Sequence, residues 1–143
     1  MRRWLHILLL VSLAGVPYSL ADGDTTMSLK FKIGVNTAHV TPEMVLANQV
    51  VCSLFEHYNL DCIITSMHDG THGANSLHSR DGKCRAIDYR TKHIPNAVTK
   101  TMLLDDIREA LGSNYDVVFE HEGEANEHAH IEHDPKSPPS TEV

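Results

Sequence analysis

The residue pattern predicts an α+β fold: a small antiparallel sheet with helices packed against it. Two stretches of helical periodicity, at 41–57 and 96–111, carry that expectation, together with four short runs of strand character. The order is helix, strand, strand, helix, strand, strand, not a strict alternation of strand and helix. The chain has 143 residues, enough for one domain and hardly for two.

Thr41-Pro42-Glu43 opens the first helix: a threonine to cap it, a proline for the first turn and an acid at the positive end. Leu46, Val50 and Leu54 recur every fourth residue, with Ala47, Val51 and Tyr58 widening the apolar stripe, and the helix ends near His57. Residues 60–65 are a short β-branched run and read as a buried strand. Residues 66–75, with Gly70 and Gly73, form a loop. A second strand follows at 86–89, with Asp88 on the face opposite Ile87. The second helix uses Val98, Met102, Ile107 and Leu111 and stops at Gly112. Strands at 115–120 and 128–132 complete the domain. Residues 22–32 read as a polar irregular arm. Residues 135–143, with three prolines, read as a disordered tail.

Arg2 and Arg3, an apolar run over 5–16 and the small-residue end Ser19-Leu20-Ala21 predict an export signal over residues 1–21. The run is short for a transmembrane helix. An uncleaved membrane anchor is the competing reading, because Pro17 and Tyr18 fall in the cleavage region. The domain proper is then 22–134, in the periplasm or outside the cell. The formal net charge is −7, and loss of two arginines with the signal makes it −9. That balance excludes a general attraction to nucleic acid. Three cysteines leave one unpaired: Cys52 and Cys62 could bridge helix to strand, and Cys62 could equally pair with Cys84.

Eleven histidines are the compositional anomaly, and seven of them lie around two groups. His78 and Asp88 flank a polar loop containing Gly82, so folding that loop back brings both onto one ion. Glu127-His128-Ala129-His130 follows some forty residues later. His128 and His130 share one face of a strand, and either completes a set of two imidazoles and one carboxylate. Three such ligands leave a fourth position open, as catalytic zinc requires. His130 is preferred, because Glu127 then stands three residues before a ligand, where a local bend brings its carboxylate in as a general base. In a perfectly regular strand Glu127 points the other way.

Ser76-Leu77-His78, Gly82, Ala86-Ile87-Asp88 and the Glu127-x-x-His130 ending resemble the zinc D-alanyl-D-alanine peptidases. That family comprises cell-wall carboxypeptidases, dipeptidases and phage endolysins that cut peptidoglycan peptides, on a fold shared with the hedgehog signalling domain. The resemblance extends to a compact phage-type subgroup through Asp69-Gly70-Thr71-His72 and Tyr115-Asp116-Val117-Val118, and covers roughly residues 30–135. It implies one zinc per chain on His78, Asp88 and His130, with Glu127 as general base. It further implies a proton-transfer or hydrogen-bonding role for His128, a substrate-orienting role for Ser76, and action on peptidoglycan peptides; a monomer is expected, though the resemblance does not speak to oligomeric state. For Ser76 the alternative is a turn residue bonded to its own backbone.

Two departures from the family pattern stand out. The His78–Asp88 interval is three residues longer than usual, and Asp69 stands where the larger cell-wall enzymes carry an arginine. Arg80, Lys83 or Arg85 could supply the missing cation, each with the plainer alternative of a solvated loop charge. Arg85 joins Ser76 as an expected substrate contact. The alternative function is a non-enzymatic exported zinc-binding or partner-binding domain on the same fold.

Overall fold

The computed structural model describes residues 29–73 and 75–135. The export segment expected at 1–21, and all but the first residue of the expected tail, lie outside the described residues. Two helices pack on one face of a five-stranded sheet, so the α+β class holds. The strands are β1 (Leu29–Phe31), β2 (Cys62–Ser66), β3 (Ala86–Arg90), β4 (Tyr115–Glu120) and β5 (His128–His133), in the order β1-β2-β3-β5-β4. The helices are α1 (Pro42–His57) and α2 (Ala97–Leu111). No helix among the described residues is long and apolar enough to cross a membrane.

The sheet is mixed, not antiparallel throughout. The arm expected at 22–32 contains β1, which pairs parallel with β2 from Leu29↔Cys62 to Phe31↔Ile64. Three exposed residues offer no alternation to read, so only pairing defines this strand. The other pairs are antiparallel, and β5 lies between β3 and β4.

Thr41 occupies the cap position of α1, but its side chain makes no capping bond; Pro42 and Glu43 stand where expected. In α2, Asn96 Oδ1 accepts from the Thr99 N–H at 2.9 Å, and Gly112 ends the helix at φ 73°. The buried face of α1 is Met44, Ala47, Val51, Cys52 and Phe55. Leu46 is instead 62% exposed, and Val50 also reaches solvent. In α2 the buried residues are Leu103, Leu104 and Ile107, while Val98 and Met102 are exposed. Both helices carry two adjacent apolar stripes of helical spacing. The sheet selects one of them, through Phe55 stacked 6.2 Å from Tyr89 and the Cys52–Cys62 disulfide joining α1 to β2. Cys84 is free and buried, its thiol donating to the Ala86 carbonyl at 3.2 Å.

Strand alternation sorts the sheet into two faces. Ile87, Tyr89, Ala129 and Ile131 are fully buried in the core. Asp88, His128 and His130 take the alternate positions, on the face without helices.

Candidate metal centre

Three chain segments bring His78, Asp88 and His130 together, their ligand atoms within 4.8 Å of one another. Asp88 and His130 are directly opposed in the β3–β5 ladder, so register alone makes them neighbours. His78 arrives from the loop before β3, which is anchored by Arg85 N–H to the Leu77 carbonyl at 2.7 Å. The long interval between His78 and Asp88 is taken up by an exposed 3-10 turn, Arg80–Gly82, with Asp81 and Gly82 both at positive φ.

The three side chains offer one donor atom each for a metal ion. His78 Nδ1 donates to the Met67 carbonyl at 2.6 Å, which leaves Nε2 to face Asp88 Oδ1 at 3.3 Å. His130 Nδ1 lies 2.8 Å from the same oxygen, and its Nε2 lies 3.0 Å from Glu132 Oε2. Ligands on a tetrahedral zinc are roughly 3.3 Å apart. Each imidazole therefore turns one nitrogen to the cluster and ties the other to a carbonyl or carboxylate, the arrangement that orients metal-binding histidines. His72 stacks on His78 with centroids 4.3 Å apart, and its Nε2 bonds the Asp69 carbonyl. Asp69 Oδ1 accepts from the N–H groups of Met67 and Asn36, fixing the loop whose carbonyl orients His78.

Electrostatics agree with this geometry. Burial pushes the Asp88 carboxyl up, but His130 and His78 outweigh it and hold the group well below the usual range. Burial alone would lower His130; Asp88 and Glu132 instead push it up to about 9. Without an ion, positive charge on His130 balances Asp88.

Glu127 does not join the cluster. It precedes β5 at a position of opposite parity to His128 and His130, and although Glu127 lines the same cleft as Asp88 and His128, its carboxylate is tied to α2 and two loops. Oε1 accepts from Lys100 Nζ at 2.6 Å and Thr91 Oγ1 at 2.9 Å, and Oε2 from the Gly123 N–H at 2.8 Å. No local bend turns it inward. His128 does face the cluster, with Nε2 3.7 Å from Asp88 Oδ1 and 3.1 Å from Glu120 Oε2. Ser76 Oγ accepts from the His78 N–H at 3.3 Å, the backbone-bonding alternative. Arg85 is placed elsewhere: it pairs with Asp81 at 3.4 Å and lines a separate pocket with Glu43 and His133.

A cleft of about 560 Å³ borders the cluster at Asp88 and His128. Its cations are Lys32, Arg90 and Lys92, not the loop residues Arg80, Lys83 or Arg85. Arg90 follows Asp88 by two on β3 and so shares its face, a signal legible in sequence. Glu132 carries the same signal relative to His130. Glu120, the Met67 carbonyl and Lys32 come from distant segments and had none. Compared with protein-family models, curated proteins and solved structures, the chain matches none.

Proposed function

We propose that this chain is a zinc-dependent peptidase that hydrolyses peptide bonds in peptidoglycan. The observation that carries the reading is the convergence of His78, Asp88 and His130, with oriented imidazoles, beside a cleft on the open sheet face. The motif resemblance to the zinc D-alanyl-D-alanine peptidases narrows the substrate to wall peptides. The Cys52–Cys62 disulfide and the N-terminal signal pattern support work in an oxidising compartment outside the cytoplasm.

A bound zinc would supply Lewis acidity for hydrolysis. His78, Asp88 and His130 would hold it, with Met67 and Glu132 fixing the two imidazoles. Proton transfer falls to His128 Nε2, where Glu120 stabilises the imidazolium. Arg90, Lys92 and Lys32 line the cleft where a free carboxylate of the stem peptide would sit. Glu127 acts as a strut between the cleft wall and α2.

The engagement of Glu127 favours a second reading, a non-enzymatic zinc-binding domain, which needs no base beside its metal. Mass spectrometry of purified peptidoglycan, incubated with zinc-loaded protein or a chelated control, separates the two. New zinc-dependent fragments are expected and name the bond cut. Unchanged peptidoglycan with one tightly bound zinc per chain would favour the binding domain.

A further inference from the structure

We propose that His128 and Glu120, sharing Asp88 with the first centre, form a second and weaker divalent-cation site. His128 Nδ1 donates to the Asn126 carbonyl at 2.7 Å, which turns Nε2 toward the open sheet face. Nε2 faces Glu120 Oε2 at 3.1 Å and Asp88 Oδ1 at 3.7 Å. One imidazole edge and two carboxylates meet here, and such a group calls for a positive charge, which a proton on His128 or a divalent cation supplies. An imidazole with carboxylates is a donor set suited to zinc.

The ligand atoms of Glu120, His128 and His130 also lie within 4.8 Å of one another. His130 has no nitrogen left for a second ion, because one faces Asp88 and the other Glu132. Asp88 lies between the groups, with all three imidazoles approaching its Oδ1, so sharing it between two ions calls on the second carboxylate oxygen. Register explains the placement: His128 opposes Glu120 on one side and Arg90 on the other, two residues along the ladder from the Asp88–His130 pair and so on the same face. The Glu120 side chain is 42% exposed, so this site competes with water and binds less tightly than the first. The sharing of Asp88 rests on the first centre being a metal site. Under the peptidase reading, a second ion would also occupy the lone pair used for proton transfer.

The test is zinc titration of the chelator-stripped full chain against a competing indicator, with bound metal counted after dialysis. The expected result is two ions, the second at least tenfold weaker. His128→Ala and Glu120→Gln each remove the weaker ion and keep the tight one. His121→Ala, whose ring lies 5.8 Å from that of His128, keeps both. Glu120→Gln alters a partly exposed side chain with little change of shape, so it decides the matter if His128→Ala fails to fold. One ion in the unaltered chain overturns the second site and leaves the first. A weaker ion that survives both substitutions overturns it as adventitious binding to other histidines. Loss of the tight ion in either variant overturns the division into two sites, and no bound ion overturns both centres.

Discussion

Replacing Lys100 by methionine decides what Glu127 is for. Methionine keeps the length and apolar stem of lysine on α2 but leaves the Glu127 carboxylate with only Thr91 and Gly123 as donors. The two side chains are 15% and 5% exposed, so little water reaches the ion pair. Removing one partner of a buried pair typically costs 3–5 kcal/mol, and the partial exposure of Lys100 argues for the lower end, about 3 kcal/mol. For a domain of this size that lowers Tm by about 10–20 °C. Glu127→Gln keeps an acceptor for Gly123 and leaves a lysine that can turn to solvent, so it costs less, about 1–2 kcal/mol. Urea denaturation of both variants and of the double variant measures the coupling. Acid adds a second readout. Burial pushes Glu127 up, but Lys100, Gly123 and Thr91 hold it below its ordinary 4.5. Its contribution is therefore complete above 4.5 and is lost as pH falls through the lower folded value, a loss that Glu127→Gln abolishes. If Glu127→Gln leaves stability untouched and abolishes zinc-dependent peptide hydrolysis, the strut is refuted and the general base restored.

Three further outcomes are expected. Glu132→Gln removes the carboxylate behind His130 and should lower the affinity of the tight zinc by about 10–100-fold, read by competition with a zinc indicator. Converting Cys52 and Cys62 together to alanine opens a link of ten-residue separation and should cost about 2–3 kcal/mol in urea denaturation, with Cys84 unreactive to thiol reagents until unfolding. Arg90→Ala with Lys92→Ala should raise KM for a wall peptide bearing a free C-terminal carboxylate and leave its amide unchanged; equal effects on both peptides would remove these cations from recognition.

Much of the fold lay open in local pattern. The sequence expectation for 115–120 coincides with β4, and both helices begin and end within a residue of the expected positions, because proline, asparagine and glycine act on adjacent backbone. The face of each helix was not legible. Leu46 and Met44 are equally apolar, and only the sheet beneath decides which is buried. For β1, three residues gain strand geometry from β2 alone.

The same division runs through the centre. Sequence by itself determined that Asp88 lies opposite Ile87 and that His128 and His130 share a face, because strand side chains alternate with a period of two. By that rule Glu127 faces away from them, and the structure keeps it there on Lys100. Only the tertiary structure decided that Asp88 stands across from His130, that Met67 aims His78, and that Lys32 and Arg90 border one cleft. Those neighbours are set by register and loop closure between segments far apart in the chain, and no local spacing encodes such distances.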